Sequence, residues 1–158
     1  PDPSPFFPAE LEREIFEMAA LFHPETIFSL VLVCRRVYEW TDGIRYRTVT
    51  SNGAGWSFPV YGFWQAIQSN SNPASFFQHH VENFFFSHGL VDPKNLRKTL
   101  AACSGIQDLV LYVSMGFSGS LLPILAAMKL RRLGFDWPFL FIYTVHPHQP
   151  MFSSLTHL

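Results

Sequence analysis

A short apolar pattern, Val81-Glu82-Asn83-Phe84-Phe85-Phe86, recurs along this sequence of 158 residues. Its first, fourth and sixth positions are apolar, and the same spacing returns at residues 106–111 (IQDLVL) and 130–135 (LRRLGF). The pattern starts again at residues 155–158, which gives steps of 25, 24 and 25 residues. A period of about 20–29 residues is typical of repeats that alternate a short strand with a returning segment. The sequence therefore predicts an α/β fold with a parallel sheet.

The segments that follow the first two predicted strands carry apolar residues at helical spacing. These residues are Leu96, Leu100 and Cys103, and then Leu121, Leu122, Leu125 and Met128. The third such segment contains Pro138, Pro147 and Pro150 and is predicted to be less helical. We therefore expect a repeat segment over residues 81–158, with strands near 81–86, 106–111, 130–135 and 155–158.

The first part of the chain predicts helices instead of strands. A polar, proline-rich leader is expected over residues 1–6 and a helical module over residues 7–47. Pro8 suits the first turn of a helix and Pro24 ends it, which leaves a second helix from Glu25 to Trp40. The first helix carries an apolar stripe: Leu11, Ile15, Met18, Ala19 and Phe22. Residues 48–80 form a linker or an irregular first repeat, which opens with a predicted strand at Thr48-Val49-Thr50.

The composition favours protein binding over nucleic-acid binding or membrane insertion. Charged residues make up 15% of the chain, compared with about 25% in ordinary soluble domains, while 48% are hydrophobic. Some apolar surface is therefore expected to face a partner. The net charge of −1 argues against the extended basic face that nucleic acid requires. The longest apolar run, near residues 139–145, is far shorter than a membrane helix, and we expect a cytoplasmic or nuclear protein.

The sequence contains no arrangement of residues that suggests catalysis, a cofactor or a metal. Cys34 and Cys103 have apolar neighbours and are predicted to be buried free thiols. The histidines at 79–80 and at 146 and 148 have no Cys or carboxylate at ligand spacing. We therefore expect neither an enzyme nor a metal site.

The helical module resembles an F-box. The residues that carry the resemblance are Phe7-Pro8-Ala9-Glu10-Leu11, Ile15-Phe16, Leu32-Val33-Cys34-Arg35 and Trp40. They are especially similar to F-box-like proteins of mushroom-forming fungi, with Phe7 in place of the usual Leu. The resemblance implies a Skp-type adaptor as partner and, through it, a cullin/RING ubiquitin ligase. The implied adaptor-binding residues are Phe7, Pro8, Leu11, Ile15, Phe16, Leu30, Val33 and Val37.

The repeat segment resembles the irregular leucine-rich repeats that commonly follow an F-box. The usual Asn after each strand is replaced by Gly89, Ser114 and Pro138. Strand positions between the core aliphatics point away from the core, and the resemblance implies that they form a concave recognition face. These positions are Asn83, Phe85, Ser87, Asp108, Val110, Tyr112, Arg132, Gly134 and Asp136. In-register stacking would align Asn83, Asp108 and Arg132 in one row, with Asp108 and Arg132 as neighbours of opposite charge.

Two hypotheses of function follow. In the first, the chain is a non-catalytic substrate-recognition subunit of an SCF-type ubiquitin ligase, with the F-box on the adaptor and the repeats on a target protein. In the second, it is a repeat scaffold without a ligase role, and the helical hairpin caps the solenoid. Because the fourth predicted strand at 155–158 stops at the last residue, we also expect a truncated fragment or self-association through that edge.

Overall fold

The computed structural model describes residues 7–51, 58–69, 72–73, 75–87, 93–112, 121–135, 152 and 155–156. The chain divides into two compact units, a helical unit at Pro1–Tyr46 and a repeat unit at Arg47–Leu158. The helical unit contains three α-helices and the repeat unit alternates strands with helices, so the predicted α/β class is confirmed. The described residues include no helix that is long and apolar enough to cross a membrane.

The helical unit consists of short helices that follow one another closely. They are α1 (Ala9–Phe22), a 3-10 turn (Pro24–Thr26), α2 (Ile27–Leu30), α3 (Arg35–Thr41) and a second 3-10 turn (Ile44–Tyr46). Pro8 precedes α1 and Pro24 opens the first 3-10 turn, as their fixed φ angles favour. The buried side chains of this unit include Ala20, Ile27, Val37, Thr41 and Tyr46.

The predicted continuous helix from Glu25 to Trp40 is wrong, because the chain turns at residues 31–33. Leu32 and Val33 donate to carbonyl oxygens only three residues back, at 3.2 and 3.0 Å, which tightens the end of α2. Cys34 is then extended, with φ −164° and ψ 167°, and its carbonyl accepts from the Tyr38 amide at the start of α3. β-branched valines on either side of Leu32 weaken helix formation where the break occurs.

The repeat unit is built on a parallel sheet with strand order β2-β1-β3-β4-β5. The strands are β1 (Thr48–Thr50), β2 (Phe58–Pro59), β3 (Asn83–Ser87), β4 (Asp108–Tyr112) and β5 (Arg132–Phe135). The helices are α4 (Val60–Gln68), α5 (Phe76–His80), α6 (Pro93–Ala102) and α7 (Leu122–Ala127). The strands β1, β3, β4 and β5 form a four-strand parallel core. Three of them, β3, β4 and β5, are strands that the repeat pattern predicts, and β1 is the strand predicted at Thr48-Val49-Thr50.

The strand register follows the period of the sequence. Phe84 lies opposite Leu109, and Leu109 lies opposite Leu133, so the predicted steps of 25 and 24 residues are confirmed. Each strand begins two residues later than expected, because the first apolar residue of each pattern is buried just before the strand. These residues are Val81, Ile106 and Leu130, each at most 1% exposed.

The core of the repeat unit is formed by rows of equivalent side chains. The sheet contributes Val49, Phe84, Leu109 and Leu133, each at most 3% exposed. The predicted helix faces are buried as well at Leu96, Leu100, Cys103, Leu121, Leu125 and Met128, while Leu122 is half-buried. Parallel strands need such a covering on the buried face.

A ladder of backbone hydrogen bonds joins the residues that precede the strands. The Arg47 carbonyl accepts a hydrogen bond from the Glu82 amide. In the same way the Glu82 carbonyl accepts from the Gln107 amide, and the Gln107 carbonyl accepts from the Arg131 amide. The Arg131 carbonyl then accepts from the Thr156 amide at 2.8 Å, which continues the 25-residue step. Leu155 and Thr156 are not in a strand, and the remainder of the predicted fourth strand lies outside the described residues, as do the leader and positions 89, 114 and 138.

The two cysteines differ in environment. Cys103 is fully buried, and burial raises the pKa of its thiol to about 12. Cys34 is exposed, so the expectation that it is buried is wrong. The cause is the break between α2 and α3, because Cys34 lies in the extended backbone there and not inside a continuous helix.

A first prediction concerns the turn between α6 and β4. A Cβ atom at Gly105 would lie 2.0 Å from the Gln78 carbonyl oxygen, so a side chain there forces the α5 backbone to move. We expect Gly105→Ala to lower the free energy of unfolding by about 2 kcal/mol, as overpacking does. Chemical denaturation measures this change. Ser104→Ala is the matched control, and an equal loss in both variants would contradict the close approach.

A second prediction concerns thiol reactivity. A thiolate reacts and a thiol does not, so Cys103 should resist a colorimetric disulfide reagent at neutral pH, while exposed Cys34 reacts. We expect one reactive thiol per native chain and two after denaturation. Cys34→Ser should leave none in the native chain, and rapid labelling of that variant would show that Cys103 is accessible.

Candidate protein-binding surfaces

The helical unit exposes a large apolar surface. Ten of the thirteen large exposed hydrophobic side chains among the described residues belong to this unit. We call the following ten residues the apolar surface: Phe7, Leu11, Ile15, Met18, Leu21, Phe22, Phe28, Leu32, Val33 and Tyr38. Exposure on this scale in so short a segment is typical of a surface that binds a partner.

Helix α1 contributes the largest part of the apolar surface. Leu11, Ile15, Met18 and Phe22 recur at three- and four-residue spacing and are each 43–74% exposed. The helix packs inward through a different line, in which Ala20 is fully buried and Phe16 half-buried. The apolar stripe found in the sequence is therefore the exposed face of α1.

The break between α2 and α3 presents further apolar residues. Leu32 is 83% exposed and Val33 is 58% exposed, because the turn directs both away from the unit's core. On α3, the Asp42 carboxylate, followed by burial, raises the pKa of the Tyr38 hydroxyl. The shift reinforces the uncharged state that a tyrosine already has at neutral pH, and this state suits an apolar surface.

The predicted adaptor-binding residues fall into three groups. Phe7, Pro8, Leu11, Ile15 and Val33 are exposed, and Phe16 and Leu30 are half-buried. Val37 is only 2% exposed, and its inclusion in a binding surface needs correction. It lies on α3 four residues before fully buried Thr41, so this line of α3 faces the unit's own core. The sequence prediction omitted Met18, Leu21, Phe22, Phe28, Leu32 and Tyr38, although the spacing of the α1 stripe already includes Met18 and Phe22.

The helical unit also carries ion pairs. Arg36 on α3 contacts the Glu12 carboxylate on α1 and also lies over the Trp40 ring, 5.3 Å from its centroid. Arg45 reaches Asp42 at 2.7 Å. The first of these ion pairs connects two helices and, because Arg36 is exposed, contributes at most about 1 kcal/mol to their packing.

The open face of the repeat sheet carries a polar row, Thr48–Asn83–Asp108–Arg132, in one register. The Asn83 amide nitrogen donates to the Thr48 hydroxyl at 3.1 Å. Arg132 donates to both Asp108 carboxylate oxygens, from Nε at 2.9 Å and from Nη2 at 2.6 Å. These bonds, and then the charge of Asp108, raise the pKa of the Arg132 guanidinium.

The next rows of the open face are less polar. Phe85 lies opposite Val110, which lies opposite Gly134. A Cβ at Gly134 would lie 3.3 Å from a Val110 methyl group, so the glycine leaves room for that side chain. Further along, Ser87 lies opposite Tyr112, which is 47% exposed. The open face therefore places two exposed aromatic side chains, Phe85 and Tyr112, beside a polar row.

The predicted recognition residues largely lie on this face. Asn83 and Val110 are half-buried, while Phe85, Ser87, Tyr112 and Arg132 are exposed. Asp108 is 9% exposed because the Arg132 guanidinium covers its carboxylate. Asp136 lies outside the described residues.

The described residues contain no group of three or more His, Cys, Asp or Glu side chains that could hold a metal. His79 and His80 lie at the end of helix α5. Their Nδ1 atoms contact the carbonyl oxygens of Ser75 and Phe76 at 2.7 and 2.8 Å, which ties both rings to their own helix. His146 and His148 lie outside the described residues.

A third prediction concerns the ion pair of the polar row. Arg132→Ala leaves the mostly buried Asp108 carboxylate without its bidentate partner, so the melting temperature should fall. Adding Asp108→Asn should restore part of the loss, because the amide removes the uncompensated charge. Arg131→Ala is the control, since among the described residues its exposed guanidinium makes one long side-chain contact, with Gln107 at 3.5 Å. A double variant less stable than Arg132→Ala alone would contradict this view of the pair.

Comparison with protein-family models, with curated proteins and with solved structures finds no match for this chain. The resemblance to an F-box with leucine-rich repeats therefore rests on the residues quoted from the sequence, and the structure supplies the α/β fold alone.

Proposed function

We propose that this chain is a non-catalytic substrate receptor of an SCF-type ubiquitin ligase. Its helical unit docks on a Skp-type adaptor through the apolar surface, and the open face of its repeat unit holds a target protein. The single observation that carries the proposal is the exposed stripe of α1, in which Leu11, Ile15, Met18 and Phe22 face solvent. Leu11 and Ile15 belong to the F-box-like motif, and Met18 and Phe22 continue its apolar spacing along α1.

Physical chemistry explains why this surface needs a partner. Burying one Leu, Ile or Phe side chain completely is worth about 1.5–3 kcal/mol, so covering several exposed members of the apolar surface stabilises a complex substantially. The cost of association reduces that gain, which is why a cluster of anchors and not one residue is required. A helix that presents apolar residues at this spacing is well suited to a groove or a helical partner.

The repeat unit contributes recognition without chemistry. Its open face offers the Arg132 guanidinium for hydrogen bonds and Phe85 and Tyr112 for apolar contacts, a composition that suits a protein surface. A receptor of this kind accelerates ubiquitin transfer by proximity, since it converts a bimolecular encounter into a local one. The scaffold hypothesis uses the same open face but assigns the apolar surface no adaptor.

A fourth prediction separates these two hypotheses. We expect Ile15→Asp to weaken binding of a purified Skp-type adaptor by about tenfold or more, measured by calorimetry, because a charge replaces an apolar anchor. The melting temperature should change little, since Ile15 is 46% exposed. Tyr61→Asp is the matched control, because Tyr61 is exposed on α4, outside the helical unit.

The contrary outcomes are distinct. If the unmodified chain shows no affinity for the adaptor, the receptor proposal fails. If Ile15→Asp instead lowers the melting temperature while Tyr61→Asp does not, the apolar surface is serving stability, and the scaffold hypothesis is favoured.

A further inference from the structure

A groove on the helical side of the repeat unit is bordered by three cationic residues, and its lining is mostly apolar. It lies between α6 and α7, has a volume of about 360 Å³, and is lined by Lys94, Arg97, Lys98, Ala101 and Ile124. The four α6 residues recur at three- and four-residue spacing, so they share one face of the helix. This volume falls within the range of about 300–1,000 Å³ that is usual for binding clefts.

Two cations of this groove, Arg97 and Lys98, differ from most of the described arginines. Among the described residues, Arg13, Arg35, Arg36, Arg45, Arg47 and Arg132 each form an ion pair with a carboxylate. Arg97 and Lys98 form no ion pair within the part of the chain that the structure describes. Both side chains are exposed, so they can move to meet a ligand. The groove therefore holds two cations, Arg97 and Lys98, with which no described carboxylate pairs.

The position of Lys94 on α6 adds to the positive potential at one end of the groove. Lys94 is the second residue of the helix, and the first turn contains no acidic residue. The amino-terminal end of a helix is itself positive, so cations there are opposed by the helix dipole. The dipole acts within the first turn, so this repulsion concerns Lys94, and an anion bound at that end of the groove would relieve it.

The chemistry of the groove floor identifies the class of ligand. Ala101 and half-buried Ile124 are apolar, which suits an aliphatic side chain and not a bare phosphate. The described lining residues include no aromatic side chain on which a base could stack, and nucleic-acid sites usually combine such rings with a longer basic track. Arg97 can bind a carboxylate through two parallel hydrogen bonds.

We propose that this groove binds an acidic peptide segment of a partner protein. Carboxylates of the segment pair with Arg97 and Lys98, and an aliphatic side chain between them lies on Ala101 and Ile124. The site belongs to the repeat unit alone and does not depend on adaptor binding by the helical unit. The repeat unit would then have two binding surfaces, this groove and the open face of the sheet.

Fluorescence anisotropy tests the proposal with the full chain and a short fluorescein-labelled peptide in which glutamate pairs alternate with single leucines. We expect saturable binding that weakens as NaCl is raised. Arg97→Glu should weaken binding about tenfold or more, because it reverses a charge at the site. Lys129→Glu changes the net charge equally at an exposed position outside the groove and should have little effect.

Two further arms make the test specific. Ala101→Gln fills the groove floor without changing charge and should weaken binding several-fold, with circular dichroism confirming that the helix content is retained. A peptide with glutamine in place of glutamate should not bind. The proposal is overturned by a dissociation constant weaker than about 1 mM, by equal effects of Arg97→Glu and Lys129→Glu, or by equally tight binding of a single-stranded oligonucleotide.

Discussion

The repeat unit depends on the parallel register of its strands. Phe84, Leu109 and Leu133 lie opposite one another, and a slip of one residue would turn each of them to solvent. The backbone ladder before the strands enforces the same alignment. In it, the carbonyls of Arg47, Glu82, Gln107 and Arg131 each accept a hydrogen bond from a backbone amide one repeat further along the chain. Side chains and backbone therefore specify one register together, which is why the 24–25-residue period of the sequence appears directly in the structure.

This register also determines what the two faces can do. Residues on the buried face are constrained by packing, whereas those on the open face meet fewer neighbours and can differ from repeat to repeat. Asp108 and Arg132 show the consequence, since alignment alone places a carboxylate beside a guanidinium in adjacent strands. Close approaches set local limits, as at Gly105, where the α5 backbone leaves no space for a side chain.

The sequence predicted features that depend on period and missed those that depend on local geometry. The α/β class, the strand register and the burial of Leu96, Leu100 and Cys103 follow from apolar spacing, and all are observed. The break at residues 31–34 was missed, because an apolar run gives no signal that distinguishes a turn from a buried helix. The exposure of Cys34 and the burial of Val37 both follow from that break. An apolar stripe on α1 was found, but periodicity cannot tell whether such a stripe meets its own core or a partner.

The helical unit shows why its apolar stripe remains exposed. A segment of this length has a high ratio of surface to volume, so its small core is filled before all its apolar residues are covered. Ala20, Ile27, Val37 and Tyr46 occupy that core, and Ala20 is small enough to let α1 pack closely. The larger residues Leu11, Ile15 and Phe22 would need a second layer to be buried. Since α1 packs through Ala20 and Phe16, a partner could cover the exposed stripe without displacing that contact, and docking would then add to the stability of the helical unit.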